Sequence, residues 1–174
     1  TPSEFGITYH HGIAKSEQII LIAERGFPVN SEERGKIRAT FDGGQTWNII
    51  CEYGEIINPS ANTHFHTAVY DPYRGRLWVS KGDGDNAKTL ISDNLGQSWR
   101  KVDFISDHTP CNQPTMLLPL ANNIIYGSDG GSSKVGIWKI LVDKYFGTES
   151  ERFYLEKGAF CWDEQSTVKN YPIS

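Results

Sequence analysis

Cysteine, methionine and long apolar runs are all scarce in this chain, and each shortage closes off a class of protein. The three cysteines are Cys51, Cys111 and Cys161, and no two stand in a C-x-x-C pair. That spacing excludes a zinc ribbon and a thioredoxin-type redox motif. An odd count leaves at least one thiol unpaired within the chain. The expectation is three buried free thiols, with a disulfide through Cys51 or Cys111 as the alternative in an oxidising compartment. No apolar run approaches the roughly 20 residues of a membrane-crossing helix, so nothing is expected to span a bilayer. Basic residues are outnumbered, Lys+Arg 17 against Asp+Glu 21, for a formal charge of −4. That balance argues against a general nucleic-acid binder and against a binder of anionic membranes. Phosphate-loop and Gly-x-Ser-x-Gly patterns are also missing. The one methionine is Met116 and the chain opens at Thr1, so a processed, trimmed or partial chain is expected.

Helical periodicity is equally scarce. The one stretch with any helical character, Thr148–Lys157, has poor apolar spacing. What is present is a series of short runs rich in Ile, Leu, Val and aromatics: Gln18–Ala23, Arg76–Ser80, Asn123–Tyr126 and Val135–Leu141. Each is bounded by Gly, Asp, Asn or Ser, which is the pattern of strands and turns. An all-β fold follows, in a chain of 174 residues that is long enough for one domain.

Two octets match each other: Thr40-Phe41-Asp42-Gly43-Gly44-Gln45-Thr46-Trp47 and Ser92-Asp93-Asn94-Leu95-Gly96-Gln97-Ser98-Trp99, with their tryptophans 52 residues apart. Each lies between two short strand patterns, Lys36–Ala39 and Asn48–Tyr53 for the first, Lys88–Ile91 and Arg100–Phe104 for the second. A further strand pair precedes each octet. Thr115–Leu120, Asn123–Tyr126 and Val135–Ile140 make a third copy that has lost the octet. The residue types suit a tight hairpin turn. Asp42 and Asn94 can accept hydrogen bonds from the amides of their own turn. Gly44 and Gly96 supply positive φ, and Thr46 and Ser98 can bond back across the turn. Trp47 and Trp99 offer apolar plates to pack between neighbouring sheets. All of these roles are structural.

The two octets resemble the Asp-box, or bacterial neuraminidase repeat, of the sialidase-like β-propeller superfamily. The second copy departs from the pattern at Asn94 and Ser98. The resemblance implies four-stranded antiparallel blades with the box between the third and fourth strands, remote from the central site. It covers about residues 9–140, and blades are expected over residues 9–57, 63–106 and 112–157 of a single propeller domain or fragment. Because propellers close with about 4–8 blades, three blades imply a fragment or domain of a longer propeller, blades that close through a homo-oligomer, or a small closed form with irregular strands, the first being the favoured expectation. The family also favours an extracellular or secreted setting. True sialidases carry an Arg-Ile-Pro segment, an arginine triad and a Tyr–Glu nucleophile pair. No Arg-Ile-Pro occurs here, and Arg25, Arg38 and Arg76 lack that context.

Candidate site residues come from the ends of the inner strands. His64 and His66 stand at i and i+2, on one face of a strand, and His11 aligns with His66 one repeat earlier. The three could converge on one polar funnel that binds a ligand or metal, or they could serve only to brace neighbouring backbones. Asp83 and Asp85 in Gly82–Asn86, and Asp129 in the matching loop of the third repeat, recur at one blade edge. Acidic glycine-rich loops are calcium candidates, although the EF-hand pattern fails at Ala87; the default expectation is no cofactor. Glycoside hydrolysis would need two carboxylates about 5–10 Å apart, and Glu24, Asp71, Asp83 and Asp129 are the ones available. Trp78, Tyr126 and Trp138 sit inside strand runs and are expected in the core, with Tyr73 exposed on a hairpin. The favoured function is a non-catalytic module that binds a glycan or protein ligand. The alternative is a glycoside hydrolase or part of one.

Overall fold

The computed structural model describes residues 6–7, 13–16, 18–25, 35–52, 64–83, 87–105, 113–128, 136–143 and 152–157. Every regular element among them is a strand, and the strands form three sheets. The first sheet holds β2 (Ile13–Ser16), β3 (Ile19–Arg25), β4 (Lys36–Thr40) and β5 (Asn48–Glu52), with the short β1 (Gly6–Ile7) pairing beyond β2 along β3. The second is β6 (Phe65–Asp71), β7 (Arg76–Lys81), β8 (Lys88–Ser92) and β9 (Arg100–Lys101) in that order. The third runs β11 (Pro114–Pro119), β12 (Asn123–Ser128), β13 (Gly136–Asp143) and β14 (Arg152–Lys157). Within each run, consecutive strands pair antiparallel.

Two elements differ from the sequence pattern. Of the stretch Thr148–Lys157 with weak helical character, the described part, Arg152–Lys157, is a strand held by a six-residue register with β13. The run Arg100–Phe104 is split, because β10 (Phe104–Ile105) leaves the second sheet and pairs parallel with β14 of the third.

Two apolar layers separate the three sheets. Leu21, Ala23, Ile37 and Ala39 of the first sheet meet Phe65, Ala68, Leu77 and Val79 of the second. Val69, Trp78 and Ile91 on the other face of the second sheet meet Leu117, Ile124, Tyr126, Trp138, Ile140 and Phe153 of the third. The second sheet is therefore apolar on both faces, as its unbroken run of buried residues along β7 requires. Trp78, Tyr126 and Trp138 all lie in the core, and Tyr73 is exposed.

The two octets fold into the same hydrogen-bonded turn. Thr40 Oγ1 donates to Asp42 Oδ1 (2.7 Å) and accepts from the Gly44 amide (2.8 Å). Ser92 Oγ does the same with Asn94 Oδ1 (2.9 Å) and the Gly96 amide (2.8 Å). The amides of Thr46 and Ser98 each donate to the acid or amide oxygen at 2.9 Å. Only the last bond reverses: Thr46 Oγ1 donates to Asp42, whereas Asn94 Nδ2 donates to Ser98 Oγ. Gly44 and Gly96 both take positive φ, and a Cβ on Gly96 would lie 2.7 Å from Ile50 Cβ.

The tryptophans part company. Trp99 is half-buried and donates Nε1 to the Ile50 carbonyl of the first sheet (2.9 Å), so it links the two sheets as expected. Among the described residues Trp47 does not pack between sheets; it is 41% exposed and donates Nε1 to Gly44 O of its own turn. The cause is position. The turn of one sheet leans on the preceding sheet, and no described sheet precedes the first.

Asp42 carries an acid sensitivity that Asn94 lacks. The Thr46 hydroxyl, then the Thr46 amide and the Thr40 hydroxyl, hold its carboxyl well below the usual carboxylate range. A folded-state value below the unfolded one means the stabilisation is complete above about pH 4. It is lost as pH falls from there towards the folded value. Asp42→Asn should therefore melt close to the parent at pH 7, because Asn94 already builds the same turn, and should lose less on moving to pH 3. Asp42→Ala should lower Tm by about 2–6 °C at pH 7. Thermal melts at the two pH values check both expectations.

Candidate functional site

The inner ends of β6, β7 and β11 come together around one carboxylate. A bulge between Phe65 and Thr67 interrupts the β6–β7 ladder at His66, and its counterpart between Pro114 and Met116 falls at Thr115 in β11. Such an extra residue bends a strand and re-aims its side chains. His64 and His66 are both buried, with ring centroids 4.6 Å apart at 73°. The β6–β7 register, Phe65 opposite Lys81, carries the chain after β7 back to them. Gly82 donates its amide to the His64 carbonyl (3.1 Å), and Asp83 follows at once.

Asp83 Oδ1 is where these groups converge. It lies 3.1 Å from His66 Nε2 and 3.5 Å from His64 Nε2. Gln113 Nε2, from the residue just before β11, donates to the same oxygen at 2.7 Å. His66 Nε2 is also 3.1 Å from the Gly82 carbonyl. The histidine side chains are 6% and 5% exposed while Asp83 is 47% exposed, so the cluster is buried on one side and open on the other.

His64, His66 and Asp83 are thus brought together. His11, Asp85 and Asp129 lie outside the described residues. Gln113 is absent from the sequence candidates, although it holds the place in the third repeat that His64 holds in the second.

No protein-family model matches the chain, and no curated protein matches it in sequence. Among solved structures it is similar to the GH74 xyloglucanase from Xanthomonas campestris, at 16% identity and a TM-score of 0.57. The alignment covers 90% of this chain and 24% of that one, so the chain spans about a quarter of that enzyme's length. The fold is a partial β-propeller. Its three sheets are blades, and among the described residues they do not close into a ring.

The remaining carboxylate candidates lie elsewhere in the blades. Asp71 ends β6, seven residues beyond His64 and hence roughly 20–23 Å away along the strand. There it is fully buried and braces the β6–β7 turn, accepting from the Tyr73 amide (3.0 Å), Arg74 Nη1 (2.9 Å) and Trp78 Nε1 (3.3 Å). Glu24 is engaged by Arg38 within the first blade. Arg76 pairs with Asp93 at 2.8 Å, so Arg38 and Arg76 each engage a carboxylate within their own blade. Cys51 carries a free thiol, and burial pushes its pKa up to about 11. Cys111 and Cys161 lie outside the described residues. A cleft of about 110 Å³ between Ala87–Thr89 and Lys101–Phe104 is far below the ~300 Å³ of a typical small-molecule pocket.

Proposed function

We propose that this chain is a non-catalytic binding or scaffold unit of the Asp-box propeller type, which presents a glycan or protein ligand at the open side of the His64–His66–Asp83–Gln113 cluster. One observation carries the reading. Among the described residues, the cluster contains a single carboxylate, whereas glycoside hydrolysis needs two about 5–10 Å apart. Asp71 is at the far end of its strand, and Glu24 is occupied by Arg38. The Asp-box assignment is supported by two turns that share their hydrogen bonds almost one for one. Those turns are structural, so the ligand falls to the inner strand ends.

The likeness to a xyloglucanase makes xyloglucan oligosaccharides the first probes. Titration calorimetry should give saturable binding that weakens at least about tenfold in Gln113→Ala, with Asp42→Asn unaffected. The same likeness favours one second reading, a portion of a glycoside hydrolase. Release of reducing sugar from xyloglucan, abolished by Asp83→Asn, would establish that reading and end the first.

A further inference from the structure

The geometry points to a divalent transition-metal site formed by His64 Nε2, His66 Nε2 and Asp83 Oδ1, with zinc as the best-suited ion. One ligand atom from each of the three residues lies within 4.8 Å of the other two. In a tetrahedral zinc site with ligand bonds of about 2.0–2.1 Å, neighbouring ligand atoms stand about 3.3–3.4 Å apart. The two nitrogen-to-oxygen separations here, 3.1 and 3.5 Å, bracket that edge. Two sides of the ligand triangle are therefore already at coordination spacing.

The donor set selects the ion. Two imidazoles with one carboxylate suit zinc and its first-row neighbours. Calcium takes oxygen ligands, six to eight of them. Calcium, for which the acidic loop is a candidate, is therefore the wrong ion for the part of it that faces the histidines.

The supports are those a metal site requires. Both histidines sit on or beside β6, aimed by the bulge at His66, and their burial limits the rotamers available to them. Gln113 donates to Asp83 Oδ1 at 2.7 Å, which fixes the carboxylate from the neighbouring blade. Hydrogen bonds to a ligating carboxylate tune its orientation and are worth about 10–100-fold in metal affinity. Asp83 is half exposed, so a fourth coordination position would face solvent and accept water or a ligand oxygen. The site does not depend on the glycan reading, and either stands if the other fails.

The test uses the full chain, stripped with a chelator and titrated with Zn²⁺ against a chromophoric competitor. Wild type should bind one equivalent with a Kd below about 1 µM, with Ca²⁺ and Mg²⁺ failing to compete. His66→Ala and Asp83→Asn should each weaken that equivalent by at least about 100-fold, and Gln113→Ala by about tenfold. Co²⁺ substitution should give the intense visible bands of a four-coordinate N/O site, lost in His66→Ala. Metal-free melts of each variant establish that it is folded. The proposal is overturned if folded His66→Ala and Asp83→Asn bind zinc as wild type does, or if wild type takes up no equivalent at this affinity.

Discussion

Replacing Asp71 with alanine should destabilise the protein by about 3–5 kcal/mol, the cost of stranding a buried charge by removing its partner. Asp71 is fully buried, and Arg74, whose side chain is 8% exposed, donates to it at 2.9 Å. The same guanidinium also donates to the carbonyls of Leu120 and Ala121, at the β11–β12 turn of the third blade (3.2 and 3.4 Å). Asp71 therefore holds in place the cation that clamps two blades together. It also accepts from Trp78 Nε1, the largest fully buried side chain. A protein of this size is stable by only about 5–15 kcal/mol, so Tm should fall by about 10 °C or more. Asp71→Asn keeps the shape and one acceptor and should fall distinctly less. A melt of Asp71→Ala within 2 °C of wild type would contradict this account of the turn.

The second large effect concerns the outer face of the third blade. Met116 and Leu118 alternate along β11 at 48% and 51% exposure, and Ile137 lies on the same face at 41%. The register confirms the grouping, because Met116 faces Gly127, which faces Ile137, and Leu118 faces Ile125. In the two blades before it, the equivalent face is covered by the next blade. At the other end of the fan, Trp47 projects from the first blade in the place from which Trp99 reaches back to its predecessor. Among the described residues, knob and uncovered face are complementary in sense, which makes head-to-tail docking of a second copy the arrangement to test. Two such copies supply six blades, inside the 4–8 that close a propeller. The chain should thus self-associate between about 1 and 100 µM, with Met116→Lys/Leu118→Lys reverting to monomer by light scattering. Because surface changes of this kind are usually within about 0.5 kcal/mol, its melt should barely move. A monomeric wild type at 100 µM, or association that survives the double change, would exclude this face as the contact.

Local chemistry made the turns legible. Hydroxyl, Asp or Asn, Gly and Trp at fixed offsets define a turn whose bonds close within seven residues, and both copies formed it. The strand Arg152–Lys157 was not legible, because Phe153 and Tyr154 favour a strand while the Glu and Lys around them do not, and its conformation is set by pairing with β13 and β10. The site was legible in part. His64 and His66 follow from their i, i+2 spacing, and the hairpin that pairs Asp71 with Arg76 brings the chain after β7 back beside them. The bulge shifts that register by one residue, which no local pattern announces. Gln113 arrives from a different blade, and only packing between sheets places it against Asp83.

The parallel pairing of β10 with β14 means that the repeat as written and the blade as built have different seams. Residues 104–105 follow directly on the second blade in the chain and are stitched to the rim of the third. Cleavage between Lys101 and Phe104 would leave the third blade with all its edges, while cleavage just after Ile105 would strip its rim. Any duplication, permutation or excision of a blade should therefore cut on the amino-terminal side of β10.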